Sequence, residues 1–172
     1  MYPEGLSYEA QALAQRSKSG ARWFFWIAAL SVGTSLLTLS GSGVAFFLGL
    51  GITQFIDGLA KGLATNLGDS VRIIGLILNI LVAGVFVLIG WLALKRHLWS
   101  FVIGMVLFAL DALLLLVFQV WISFVFHAVV IYWIFKGYQA GRRLSALEVE
   151  MQAVPPPPDL SQVPAVEMNP AP

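Results

Sequence analysis

Residues 99–135, WSFVIGMVLFALDALLLLVFQVWISFVFHAVVIYWIF, decide the fold. Across these 37 positions Asp111 is the one formally charged side chain. As a single helix the stretch would be about 55 Å long at 1.5 Å per residue. A bilayer's hydrocarbon core is only about 30 Å thick. The chain must therefore turn back on itself as a transmembrane hairpin. Gln119 divides the run into two pieces of suitable length. Spans are accordingly predicted at Trp99–Phe118 and from Val120 to about Tyr138, with the turn near Gln119 and Trp121.

Working outward, two more apolar segments are long enough to cross: Trp23–Ser40, opened by the belt-forming Trp23 and Trp26, and Val71–Leu94. Hydrophobic residues make up 59% of the chain and charged residues 11%. A soluble domain averages about 25% charged, so too little charge is present to cover a soluble globule. The fold class predicted is an all-α membrane protein, a four-transmembrane-helix bundle with an additional amphipathic or re-entrant helix between the first and second spans. That extra helix falls in an external loop over residues 41–70. Its opening, GVAFFLGLGI, is too short to cross. Beyond it Gln54, Asp57, Lys61 and Thr65 recur at helical spacing opposite Phe55, Ile56, Leu59 and Leu63, with Asp57 four residues ahead of Lys61, the favourable order for an ion pair. Such a helix lies on the membrane surface or packs against the bundle.

Arg16, Lys18, Arg22, Lys95, Arg96, Lys136, Arg142 and Arg143 all fall on one side of a four-span chain. Lys61 and Arg72 fall on the other, offset by Asp57 and Asp69. By the positive-inside rule both termini are expected in the cytoplasm, and the location to be an inner (plasma) membrane. The leader, residues 1–22, carries Glu4 and Glu9 among its basic residues and does not read as a cleaved signal peptide. Its Leu6, Ala10, Leu13 and Ala14 share a face, which suggests a short amphipathic helix at the headgroups. The proline-rich end, residues 148–172, is expected to be a disordered cytoplasmic tail.

Among polar side chains, Asp111 and His127 stand out. Ionisable groups inside spans are costly and face the bundle interior. Each lies eight residues from Gln119, so the hairpin brings them to one depth, with Ser123 one turn from His127 and able to orient its ring. The pair is either a hydrogen-bonded lock on the hairpin or an element of a proton or ion path. Ser31, Ser35 and Thr38 line one face of the first span. Gly75, Asn79 and Ala83 follow at four-residue spacing in the second, with Asn79 expected to point inward at that Ser/Thr face. Small and hydroxylated residues in such registers let helices approach closely. Gly58 and Gly62 repeat the spacing on the amphipathic segment.

No cysteine is present, and only His97 and His127 are available as imidazoles. Thiol chemistry, disulfides and cysteine-ligated metals are thereby excluded, and no cofactor or metal site is expected. G-x-S-x-G, H-E-x-x-H and phosphate-loop motifs are absent. The basic residues flank the membrane and form no groove for nucleic acid. The expected function is a non-enzymatic accessory, assembly or scaffold subunit, its partners being the lipid bilayer and a membrane protein or further copies of itself. The alternative is a small oligomeric transporter or channel that uses the Asp111–His127 pair. A lipid-acting enzyme with that pair as acid and base lacks an evident nucleophile.

Overall fold

The computed structural model describes residues 4–40, 50–68 and 70–153. They form five helices: α1 Glu4–Leu39, α2 Gly51–Leu67, α3 Ser70–Leu94, α4 Leu98–Val117 and α5 Trp121–Ala153. All except α2 are long and apolar enough to cross a membrane.

The connections make neighbouring long helices antiparallel. Two tight turns do most of this work. Arg96 and Gln119 each adopt left-handed backbone, with φ of 70° and 58°. Around each, the following amide reaches back five residues, His97 N–H to Leu92 O and Val120 N–H to Leu115 O. These paired bonds satisfy carbonyls that a helix end leaves bare. The second turn sits where Gln119 had divided the apolar run.

Small residues set the packing of α1 against α3 and α5. A Cβ built on Gly20 would lie 2.6 Å from the Cα of Gly137, so the α1 and α5 backbones touch there. Gly90 of α3 leaves similar room for Phe24 and Phe25, and Gly104 of α4 for Phe24. Between these contacts Phe24, Phe86, Ile89, Phe101, Phe108, Val130 and Ile134 form the core. The helices run around it in the order α1, α3, α4, α5. Outside, the bundle is as apolar as inside: Leu81, Leu88, Leu110 and Ile122 all expose more than half of their surface. A belt of this kind belongs in lipid, since water-soluble monomers rarely expose large continuous apolar areas.

Four expectations shift. The leader is no separate surface helix: α1 continues through it from Glu4 to Leu39, and Leu13, with Ala10 and Ala14, packs on Ala140, Leu144 and Leu147 of α5. No proline interrupts residues 4–39, and Gly20 is absorbed into the close helix contact. Likewise α5 runs past Tyr138 to Ala153, two residues before Pro155, so residues 148–153 are helical; the proline-rich remainder lies outside the described residues. Residues 41–49 of the external loop also lie outside them.

The segment that follows is α2, whose first turns direct their polar groups inward, while Lys61, Thr65 and Asn66 further along are exposed. Thr53 and Ala60 are buried, and Asp57 turns towards α1 and α3. Phe55, Leu59 and Leu63 face outward. Asn79 meets the Thr53 carbonyl, and Ala60 abuts Gly75, so α2 runs antiparallel to α3. Asp57 does not serve as the Lys61 partner that its i, i+4 spacing suggested, because Ser35 and Asn79 take its two carboxylate oxygens.

Candidate functional site

The start of α2 needs partners for its first N–H groups, which have no carbonyl within their own helix. Leu50, the residue before the helix, is 1% exposed, so water is not available there. The partners come from two other helices. Leu50 N–H donates to Ser31 Oγ of α1 at 3.1 Å. Gly51 N–H and Ile52 N–H donate to Oδ2 and Oδ1 of Asp111 on α4, at 2.7 and 2.8 Å. One carboxylate thus caps a helix about 60 residues away in sequence. The positive end of the α2 dipole adds to the attraction, an effect of up to about 2 kcal/mol in partly buried geometry. Close approach requires Gly51 itself, because a Cβ there would sit 2.8 Å from Leu115.

His127 completes the constellation from α5. Its Nε2 lies 2.9 Å from Asp111 Oδ2 and its Nδ1 lies 2.7 Å from the Ser123 carbonyl. The ring stacks on Phe108 with centroids 4.1 Å apart and is fully buried. A carbonyl can only accept, so Nδ1 carries a hydrogen. Nε2 faces the carboxylate at hydrogen-bond distance. Ser123 therefore orients the ring as expected, but through its main chain.

A second polar group lies on the other side of the first α2 turns. Asp57 accepts from Ser35 Oγ at 2.9 Å and from Asn79 Nδ2 at 2.6 Å. Asn79 Nδ2 also reaches Ser35 Oγ at 2.8 Å, while Asn79 Oδ1 is buried without a hydrogen-bond partner. The expected contact between Asn79 and the Ser/Thr face is thus made at Ser35. Ser31 belongs to the α2 cap and donates to Ile27 O of its own helix. Thr38 is not drawn in: its hydroxyl donates to Thr34 O.

Gly51, Ile52, Thr53 and Asp57 belong to these groups without being marked for them in the sequence. A carboxylate inside a span, with a glycine opening an amphipathic helix elsewhere, was the available signal. Among the described residues no three His, Asp or Glu side chains gather as a metal site would require. The arrangement as built can hold a helix end and share one proton.

Beside α2, on its outward face, runs an apolar groove of about 450 Å³ between Phe55, Gly58, Leu59 and Gly62 on one side and Leu115 and Phe118 on the other. A Cβ on Gly58 or Gly62 would meet nothing within 4 Å. No family model, no curated protein and no solved structure matches this chain.

Proposed function

We propose that the protein is a non-enzymatic accessory or scaffold subunit of an inner-membrane complex, with both termini cytoplasmic and α2 re-entering the bilayer from the outer side. One observation carries the reading. Asp111 and His127 spend their polar atoms on each other, on the α2 amides and on a carbonyl, whereas the GxxxG face of α2 at Gly58 and Gly62 stands open. The buried chemistry is committed to holding α2, and α2 offers the small-residue surface against which membrane helices pack. Re-entry is supported by the cap. An N-terminus satisfied by buried side chains, with Phe55, Leu59 and Leu63 turned outward, suits hydrocarbon better than water.

Light scattering of the gently solubilised protein tests this. The account expects an assembly larger than one chain, reduced to a monomer by Gly58→Leu with Gly62→Leu while the helix content is unchanged. A wild-type monomer would contradict it.

A second reading, a small oligomeric transporter or channel, draws on the Asp57–Ser35–Asn79 group and the free acceptor at Asn79 Oδ1. Buried carboxylates inside a membrane mark ion and proton pathways elsewhere. Flux into proteoliposomes that is unchanged in Asp111→Asn and His127→Ala chains would remove the pair from any such path.

A further inference from the structure

At the opposite end of the bundle from the α2 cap, α1 and α5 enclose a hollow of about 390 Å³. Its composition is unlike the rest of the surface. Arg16 of α1 and Lys136 and Arg143 of α5 line it, and none of its lining residues is acidic. All three cations are exposed at the surface. Three like charges around one hollow repel one another, and among the described residues no carboxylate lines it to offset them.

The floor explains why the hollow exists. Gly137 and Ala140 stand where longer side chains would fill the seam, and the Gly20–Gly137 contact fixes the α1–α5 spacing beside it. The wall on its apolar side is aromatic. Tyr132 and Trp133 line the hollow while exposing about half their surfaces, 53% and 50%. Lys136 Nζ lies 5.4 Å from the Tyr132 ring centroid. Lys136 is the first charge after the apolar run of α5. The hollow therefore straddles the boundary between hydrocarbon and headgroups, where tyrosine and tryptophan belts sit.

We propose that this hollow binds the phosphate of an anionic phospholipid, with the acyl chains descending over Tyr132 and Trp133. Arg16 and Arg143 bring guanidinium forks matched to phosphate oxygens, and Lys136 adds a point charge. Gln139 contributes an amide able to donate to a headgroup hydroxyl or phosphate oxygen. A free phosphate would satisfy the cations but leave the aromatic wall unused, so lipid is the better match. Basic hollows between membrane helices take lipid headgroups in this way.

Native mass spectrometry of the full-length protein, with equal phosphatidylglycerol and phosphatidylcholine of identical acyl chains, tests the assignment. Retained phosphatidylglycerol should exceed phosphatidylcholine at least tenfold, which is about 1.4 kcal/mol. Each of Arg16→Gln, Lys136→Gln and Arg143→Gln should weaken retention about fivefold. The combined Arg16→Gln, Lys136→Gln and Arg143→Gln variant should lose retention further, whereas a triple Lys18→Gln, Arg22→Gln and Arg142→Gln variant, with the same loss of charge outside the hollow, should leave it unchanged. Equal retention of the two lipids would overturn the site, as would equal losses in the two triple variants. Full displacement by inorganic phosphate at the lipid's concentration would overturn its assignment to lipid.

Discussion

Removing the Asp111 carboxylate strands the Gly51 and Ile52 amides and deprives His127 Nε2 of its partner in one step. Breaking a buried charged pair by deleting one member costs about 3–5 kcal/mol, and Asp111→Ala is expected in that range. His127→Ala should cost less, about 1–3 kcal/mol, because the carboxylate keeps both amide donors. Equilibrium unfolding in mixed micelles would rank the two, and a His127→Ala loss equal to or above that of Asp111→Ala would contradict the capping role. The depth match of this pair was legible in the sequence, since both residues stand eight positions from Gln119. The amide donors were not, because Gly51 and Ile52 look like any apolar positions and their use depends on where α2 begins in space. Asp57 was misread for a related reason: its i, i+4 lysine offered a local partner, and only the packing of α2 against α1 and α3 reveals Ser35 and Asn79.

At the scale of elements, glycines divide into those that meet a neighbour and those that do not. Gly20→Ala would push a methyl to within 2.6 Å of the Gly137 backbone, and overpacking of this kind costs about 1–3 kcal/mol. Gly33 on the same helix meets nothing within 4 Å. Gly33→Ala should be neutral or stabilising by up to about 1 kcal/mol, the helix-interior penalty of glycine. Thermal unfolding of the two variants side by side checks the contrast, and similar effects would refute the α1–α5 contact. The loop between α3 and α4 is tied to α5 by Arg96 and Glu148, 2.7 Å apart. The guanidinium's hydrogen bond holds the Glu148 carboxyl below the usual carboxylate range. Because the folded value is depressed, the added stability is present above that range and fades as pH falls through the lowered value. Exposed pairs contribute about 0–1 kcal/mol. Wild type should therefore exceed Glu148→Gln slightly in melting temperature at neutral pH and low salt, and the gap should close in acid. A gap that widens in acid would contradict the pairing. Span existence was readable from apolar length alone. The fusion of the leader with the first span was not, because Arg16, Lys18 and Arg22 look like a boundary while the helix runs through them, its Leu13 face covered by Leu144.

For the whole molecule, α1's first turns, the α3–α4 loop and the end of α5 meet at one end, as Leu13 with Leu144 and Arg96 with Glu148 attest. That end carries the three clusters of lysine and arginine that the sequence places before, between and after the spans. A reporter fused after Pro172 should accordingly be active only in its cytoplasmic form, and periplasmic activity would reverse the orientation. The opposite end holds α2, whose first turn meets Asp111 and whose last turn, in the proposed re-entrant arrangement, returns to the outer surface. The chain has no cysteine, so single cysteines at Ile52, Leu59 and Asn66 can carry spin labels on one exposed face of that helix, spread over about 21 Å. In reconstituted bilayers, accessibility to oxygen should rise and accessibility to a water-soluble nickel chelate should fall steadily from Asn66 to Ile52. Equal depth at all three labels would mean that α2 lies flat on the membrane and would contradict the account.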